Sequence, residues 1–247
     1  MNDIFDLACE EPAATYDNTT RLMPELPWLE QLNPEQKLAA TTTEGPLLVL
    51  SGAGTGKTKV LTARLAYILA TMKANPWNCL VVTFTNRAAR EMQNRARGLI
   101  GNIADSVWMG TFHGIAAKIL RRHAEVVGLK SNFTILGEDD QRRLIKQILE
   151  AEGIDDKKYP PQSILDKIQL WKDKGLTVDK IDSGFRANVV TEVYKKYQAR
   201  LLELNCVDFG DILLYTLSIL MSDAEILNQY QERFRYIMVD EYQDTNV

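Results

Sequence analysis

Short apolar runs alternate with helical patterns along the first half of the chain. The runs at residues 47–50, 79–84 and 107–111 predict three strands, of which the first two are apolar enough to be buried on both faces. Apolar residues recur at helical spacing from about 57 to 72, and a further helix is predicted over 87–100 with Asn86 as its N-cap. This alternation predicts a parallel α/β sheet flanked by helices.

The pattern changes after residue 112. Helical periods dominate at 139–152, 163–174 and 189–204, with one short extended piece at 133–136 and a preceding helix over 112–127. Asp208 is predicted to cap a helix ending near 221, another helix runs from 224 to about 234, and a buried strand at 236–241 follows. We therefore predict an α/β domain at 31–112 and 204–247, interrupted by a mostly helical insertion at 113–203.

The N-terminal region combines an acidic, proline-containing leader with the start of a predicted helix. Residues 1–30 contain three prolines and no sustained period, which predicts an irregular leader, although its apolar residues 26–29 are able to dock on the body. Asn33 followed by Pro34 predicts a helix start with Asn33 as the N-cap. The first 35 residues carry eight acids and one arginine, so the net charge of −4 neither supports nor excludes a polyanionic partner.

Composition places the chain among globular proteins of the cell interior. It is 45% hydrophobic and 25% charged, and it contains no apolar run of the length that spans a membrane. Cys9, Cys79 and Cys206 lie far apart without metal-ligand spacing, which predicts reduced thiols rather than disulfides or ligands. We expect a cytoplasmic protein without a membrane partner.

The first apolar run leads into a glycine-rich turn, Ser51-Gly52-Ala53-Gly54-Thr55-Gly56-Lys57-Thr58. Glycines let successive backbone N–H groups point inward at phosphate oxygens, Lys57 can reach the β- and γ-phosphates, and the Thr58 hydroxyl can ligate Mg²⁺. Ser51 stands where the strict pattern has glycine, and we take it as a small-residue variant. The segment predicts a nucleotide phosphate site; the alternative is an ordinary glycine-rich turn.

Two acids, Asp240 and Glu241, end the last predicted strand. Carboxylates at the carboxyl end of a parallel strand lie where α/β sheets bind ligands. We expect Asp240 to hold Mg²⁺, mainly through its water shell, and Glu241 to orient and deprotonate the attacking water. Because any buried strand can end in acids at a solvated edge, this interpretation depends on the upstream phosphate loop.

The motifs together resemble the UvrD/Rep/PcrA family of superfamily 1 DNA helicases. The resemblance covers about residues 32–246 and is much more specific than any single motif. It implies a P-loop NTPase (RecA-like) fold and use of ATP and Mg²⁺. Besides the phosphate loop, the matching stretches are Thr83-Phe84-Thr85-Asn86-Arg87-Ala88-Ala89-Arg90-Glu91-Met92, Gly110-Thr111-Phe112-His113, Asp208-Phe209 and Asp240-Glu241-Tyr242-Gln243-Asp244-Thr245-Asn246.

The resemblance also implies further nucleotide contacts. Gln36 matches the glutamine that reads the adenine edge, and Gln243 matches the residue that senses the γ-phosphate and couples it to the DNA site. Lys59 stands where the family commonly has an arginine near the nucleotide, and a lysine there loses bidentate geometry. For Gln36, the alternative is a solvated side chain on an exposed helix face.

The predicted DNA contacts follow the second and third strands. An aromatic side chain such as Phe84 can stack on a base of single-stranded DNA while hydroxyl and amide groups donate to phosphates; the alternative for Phe84 is a core aromatic. For Asp208, the alternative is a helix cap. Adjacent basic residues of the insertion, such as Arg142-Arg143, either contact DNA phosphates or form a solvated face. The full predicted set is Phe84, Thr85, Asn86, Thr111, Phe112, His113, Asp208 and Phe209.

The resemblance implies an ATP-dependent 3′→5′ DNA helicase whose first motor domain is present here. Its partners would be single-stranded DNA, single-strand/duplex junctions, and repair or replication proteins. We expect the second motor domain to be absent, so that this chain alone binds nucleotide weakly and hydrolyses it slowly, if at all. Two alternatives remain: a non-catalytic remnant that binds single-stranded DNA or protein, and the motor portion of a helicase–nuclease.

Overall fold

A computed structural model of the chain describes residues 25–52, 54–184 and 188–244. These residues form two compact units. The first unit comprises the described residues up to Gly110 together with Arg233–Asp240, and the second comprises Thr111–Glu232 with the described residues from Glu241 onward. The predicted boundaries differ, because the two helices between residues 209 and 233 group with the second unit.

Helices dominate the described residues and strands are short. The helices are α1 (Pro34–Thr41), α2 (Lys57–Ala70), α3 (Asn86–Ile100), α4 (Phe112–Arg122), α5 (Glu138–Ala151), α6 (Pro161–Asp173), α7 (Val178–Gly184), α8 (Val189–Glu203), α9 (Phe209–Ser222) and α10 (Ala224–Arg233). The strands are β1 (Cys79–Thr83), β2 (Trp108–Thr111), β3 (Thr134–Ile135), β4 (Cys206–Val207) and β5 (Tyr236–Val239).

The first unit is built on a three-stranded sheet in the order β2-β1-β5. Strands β1 and β5 are parallel, with Cys79 opposite Tyr236 and Val82 opposite Val239. Helices α2 and α3 contribute Leu65, Ile68 and Met92 to the core beside this sheet, and all three are fully buried. The predicted α/β class with helices against a parallel sheet is confirmed.

The predicted strand at residues 47–50 is wrong. This segment has no regular secondary structure, and its four side chains are exposed, from 43% for Leu47 to 86% for Leu50. Apolar character alone does not make a strand, because a strand also needs a neighbour to satisfy its backbone groups. Among the described residues, the sheet that contains β1 has no ladder to this segment.

The end of the predicted leader is ordered where the structure describes it. Residues 1–24 lie outside the described residues, but Pro27–Gln31 forms a 3-10 helix. Leu29 is buried in a small core with Leu32, Ala40 and Ala63. The apolar piece at 26–29 therefore docks on the body of the first unit, and the prediction of an irregular leader does not hold for this part.

The second unit is mostly helical, with a two-stranded parallel pair of β3 and β4. Its core joins helices α5, α6 and α8, and its largest fully buried side chains include Tyr194 and Tyr197. Helix α7 and strand β4 were not predicted. The predicted helix over 112–127 ends at Arg122 and is followed by a separate 3-10 helix at Ala124–Val127.

Two further findings bear on the predicted protein class. No helix in the described part of the chain is long and apolar enough to cross a membrane. Cys79 and Cys206 are buried thiols, and burial raises the pKa of Cys79 to about 12, which keeps it protonated. Cys9 lies outside the described residues.

Candidate functional site

The glycine-rich turn adopts the backbone that its sequence predicts. Gly54 and Gly56 have φ angles of 74° and 92°, in the left-handed region that favours glycine. The Thr55 hydroxyl donates to the Gly52 carbonyl at 2.8 Å, which closes the turn on itself. Helix α2 then begins at Lys57, so the N–H groups of its first turn and the positive end of its dipole adjoin the turn. Ala53 lies outside the described residues, and Ser51 is exposed.

The two halves of the predicted nucleotide site meet within the first unit. The Thr58 hydroxyl lies 3.4 Å from Oδ2 of Asp240, although the residues are 182 positions apart. Asp240 is 6% exposed and directly follows β5, with its backbone N–H donating to the Val82 carbonyl at 2.9 Å. The β1–β5 ladder therefore holds the carboxylate beside the first turn of α2, where a cation bound to nucleotide phosphates would lie.

Gln36 contacts the glycine-rich turn directly. Its side chain donates to the Thr55 carbonyl at 2.9 Å and accepts from the Asn33 backbone N–H at 3.2 Å, as part of a capping box. Both ends of the amide are thus used to hold α1 against the loop. The alternative of a solvated glutamine on an exposed face does not fit this geometry.

Lys59 has a different partner. Its ammonium donates to the Gln31 carbonyl at 2.7 Å, which ties α2 to the 3-10 helix at Pro27–Gln31. This hydrogen bond engages the Lys59 ammonium, while its Cβ lies beside Gly56 of the loop, and the nucleotide contact of Lys59 stays a prediction. Lys57, in contrast, is the first residue of α2 and is half-buried beside the loop.

Glu241 and Gln243 are linked after the last strand. The Gln243 amide donates to Oε2 of Glu241 at 2.5 Å. Glu241 has a φ of 53°, and backbone strain of this kind at a non-glycine residue clusters at functional sites. The positioning of this carboxylate thus involves both a left-handed backbone and a side-chain partner.

Phe84, Thr85 and Asn86 are all exposed at the end of β1. Phe84 is 59% exposed, which excludes the alternative of a core aromatic. Thr85, not Asn86, caps α3, since the Thr85 hydroxyl oxygen accepts from the Ala88 N–H at 3.1 Å. The predicted cap is therefore wrong by one residue, while the predicted strand-to-helix turn is present.

Within the second unit, the structure brings His113 and Phe209 together. Their rings meet edge to face, with centroids 6.0 Å apart, and Phe209 is 54% exposed. Thr111 caps α4 by accepting from the Gly114 N–H at 3.1 Å, which fixes the start of the helix that carries His113; Phe112 is half-buried. Partial burial lowers the pKa of His113, which favours the neutral ring at pH 7.

Asp208 does not fit the predicted DNA contact. Its side chain has no exposed surface, caps α9 by accepting from the Asp211 N–H at 2.8 Å, and pairs with Lys172 at 2.7 Å. The alternative assignment as a helix cap is confirmed. Lys172 and Asp211 were missed; the Asp-x-x-Asp spacing of a capping box signals Asp211, whereas no local pattern signals Lys172.

Several of the paired basic residues of the insertion form ion pairs inside the second unit. Exposed carboxylates beside these cations neutralise much of their charge, which favours the solvated-face alternative over phosphate contacts. These pairs are Arg142–Asp139, Arg143–Asp140, Lys195–Glu192 and Lys196–Glu152.

Comparison with known proteins gives consistent results. The sequence model of the protein family described as UvrD/REP helicase N-terminal domain matches residues 32–247 of this chain. A probable DNA helicase II homolog of Rickettsia conorii is 49% identical over 226 residues, covering 89% of this chain and 34% of the relative. ATP-dependent DNA helicases PcrA of Bacillus subtilis and Staphylococcus aureus are 46% and 43% identical, each covering 88% of this chain and 30% of the relative. The chain thus spans about a third of the length of these relatives.

Proposed function

We propose that this chain, which belongs to the UvrD/REP helicase N-terminal domain family, is the ATP- and single-stranded-DNA-binding portion of a 3′→5′ DNA helicase. Relatives that bear the name ATP-dependent DNA helicase support ATP use and a DNA substrate. Single-strand/duplex junctions as substrates, repair or replication proteins as partners, and a cytoplasmic location complete the proposal. These rest on the family resemblance alone.

The turn at residues 51–58 would hold the nucleotide phosphates. Its left-handed glycines allow the tight turn in which backbone N–H groups can face phosphate oxygens, and Lys57 supplies a compact positive charge at the start of α2. Gln36, already bonded to the loop carbonyl of Thr55, is placed to exchange that contact for the adenine edge. Nucleotide binding would therefore change how α1 is tied to the loop.

Thr58 and Asp240 fit Mg²⁺. Both offer hard oxygen atoms of the kind that Mg²⁺ prefers; the Thr58 hydroxyl would be a ligand, and Asp240 would hold the cation mainly through its water shell. When bound, the cation would neutralise charge on the β- and γ-phosphates.

Glu241 would act as the base that orients and deprotonates the attacking water. Gln243 donates to this carboxylate at 2.5 Å, so a γ-phosphate that attracts the Gln243 amide would release one oxygen of Glu241. This exchange gives a physical route by which Gln243 senses the γ-phosphate. It also makes the basicity of Glu241 depend on the nucleotide.

Single-stranded DNA would bind through exposed aromatic side chains of each unit. Phe84 and Phe209 both expose more than half of their surface, and base stacking on such rings contributes about 1–3 kcal/mol per base. The Thr85 hydroxyl and Asn86 amide are exposed beside Phe84 and can donate to phosphates. The Thr111 hydroxyl caps α4 as an acceptor and, like that of Thr85, can still donate to a phosphate, whereas we assign the fully buried Asp208 to helix capping instead of DNA contact.

The contact between Thr58 and Asp240 is the main support for the proposed nucleotide site. Calorimetric titration of the chain with ATP and Mg²⁺ tests whether nucleotide binds there. We expect Lys57→Ala to weaken binding by about 10- to 100-fold, as for loss of a charge-assisted bond. Lys73→Ala is the matched control, since that ammonium pairs with Glu44 at 3.0 Å and belongs to no predicted site. Equal affinity of Lys57→Ala and the unaltered chain would overturn the proposed site.

A further inference from the structure

A buried cluster of charges joins α6 to the start of α9. Lys172 of α6 places its ammonium 2.7 Å from Asp208 and 2.7 Å from Asp211, and none of the three side chains has exposed surface. Two carboxylates share one cation here, so the pairing leaves an excess negative charge inside the unit. Such burial is a costly way to join two helices, because apolar residues of similar size would pack there without the desolvation cost.

Additional hydrogen bonds fix the orientation of the cluster. Asp208 Oδ2 also accepts from the Tyr197 hydroxyl at 3.1 Å and from the Gln169 amide at 3.1 Å. Asp211 accepts from the Gln198 amide at 2.6 Å. Hydrogen bonds are directional, whereas apolar contacts are not. The network therefore fixes the position of the first turn of α9 on α6 and its rotation about the helix axis.

Gly210 lets this turn press closely on α6. A Cβ atom at Gly210 would lie 2.6 Å from Oε1 of Gln169 and 3.0 Å from Cδ of Lys172. Of the four residues 208–211, three therefore face α6, either as buried carboxylates or as the glycine that allows close approach. The fourth, Phe209, is the one that projects outward, with its ring edge to face with His113.

We propose that Lys172, Asp208, Gly210 and Asp211 form a positioning clamp that holds Phe209 beside His113 as a base-stacking surface for single-stranded DNA. The inference rests on the proposed function and deepens it, since it names what presents the aromatic ring. The clamp acts through Phe209 and does not touch DNA itself. It also ties the DNA-stacking residue to α6, so that a displacement of α6 is transmitted to the ring.

A double-mutant cycle tests the clamp. Gly210→Ala crowds the Gln169 and Lys172 side chains of α6, which must give way. Asp208→Asn is the second variant, because asparagine can keep the cap but presents an amide N–H group to Lys172 in place of a carboxylate oxygen. Affinity for a labelled oligothymidylate is measured by fluorescence anisotropy in the unaltered and Phe209→Ala backgrounds. We expect each clamp substitution to weaken binding about three- to tenfold in the first background and less than twofold in the second.

Two outcomes contradict the inference. Equal losses in both backgrounds would mean that the clamp acts without Phe209, which overturns the inference and leaves the DNA site intact. If Phe209→Ala itself has no effect on binding, the proposed stacking surface is wrong and the inference is overturned with it. Leu213→Ala, one turn further along α9, is the control for general damage to the helix.

A spectroscopic measurement separates positioning from loss of folding. The chain has two histidines, so the ring protons of His113 are readily assigned by comparison with a His123→Gln variant. The ring current of Phe209 acts on these protons at the observed centroid distance of 6.0 Å. In folded Gly210→Ala and Asp208→Asn chains we expect the His113 resonances to shift toward those of Phe209→Ala; unchanged resonances in both would overturn the clamp.

Discussion

At the scale of single residues, the phosphate loop depends on a backbone that only glycine adopts easily. Gly56 has a φ of 92°, and a Cβ atom there would lie 3.2 Å from the Gln36 amide nitrogen. We expect Gly56→Ala to lower the free energy of unfolding of the first unit by about 1–2 kcal/mol, since a left-handed non-glycine residue carries that cost. Urea unfolding followed by near-ultraviolet circular dichroism measures this.

Gly98 provides the matched control for Gly56→Ala. It lies inside α3, has no left-handed φ, and a Cβ atom there would meet nothing within 4 Å. Gly98→Ala should therefore raise the free energy of unfolding by about 0.5–1 kcal/mol, because alanine is the better helix former. If both substitutions have the same sign, the strain assigned to Gly56 is wrong.

Asp211 makes the stability of the second unit depend on pH. Burial raises its pKa to about 6 in the folded chain from an ordinary value of 3.8, with Lys172 opposing and Asp208 adding to the shift. The folded state binds this proton more tightly than the unfolded state does, so stability rises as pH falls from about 7 to about 4 and levels off below that. Hydrogen exchange of the backbone amides of α9 at several pH values gives their free energies of opening. The change of these free energies with pH measures the effect.

Asp211→Asn isolates that contribution. Asparagine has no charge to desolvate, and Lys172 keeps Asp208 as its partner at 2.7 Å. We expect the variant to lose most of the rise in α9 protection between about pH 7 and 4 while remaining folded. An unchanged slope would assign the pH dependence to other groups.

The same residues show what sequence can and cannot predict about a site. Thr58 and Asp240 were predicted because each belongs to a local pattern with a chemical reason. Lys172 was not, because nothing in its own neighbourhood signals that two acids of another helix will surround it. Lys59 shows the converse, since a basic residue beside the loop has its ammonium bound to the Gln31 carbonyl, a partner that its local pattern does not signal.

At the scale of elements, helix starts followed from local chemistry. Asn33 and Asp208 both accept the predicted backbone hydrogen bonds, and both form capping boxes. A cap involves residues three or four apart, so a short stretch of sequence contains the whole interaction. Strand β4 has two residues and pairs with β3, more than seventy positions away, so no local period could reveal it.

The segment at residues 47–50 is the clearest test at this scale. In the structure Leu50 is 86% exposed, whereas Leu65 of α2 is fully buried. Leu50→Ala should therefore change the free energy of unfolding by less than about 0.5 kcal/mol, and Leu65→Ala should lower it by about 2–5 kcal/mol. Equal and large losses would mean that 47–50 is the buried strand that its apolar pattern predicts.

At the scale of the whole molecule, the sites divide between two units. The loop, Thr58, Asp240 and Phe84 belong to the first, and Glu241, Gln243, His113 and Phe209 belong to the second. A motor of the proposed kind requires that nucleotide binding changes the affinity for DNA. That coupling, more than either binding event, distinguishes a helicase portion from a passive DNA-binding remnant.

The most direct test of the proposed function is the affinity of the chain for a labelled oligothymidylate with and without ATPγS and Mg²⁺. We predict that nucleotide changes this affinity by about fivefold or more, and that Lys57→Ala removes the change while leaving nucleotide-free binding intact. Affinities that are identical with and without nucleotide, in the unaltered chain as in Lys57→Ala, would contradict the proposal and identify a non-catalytic binding remnant.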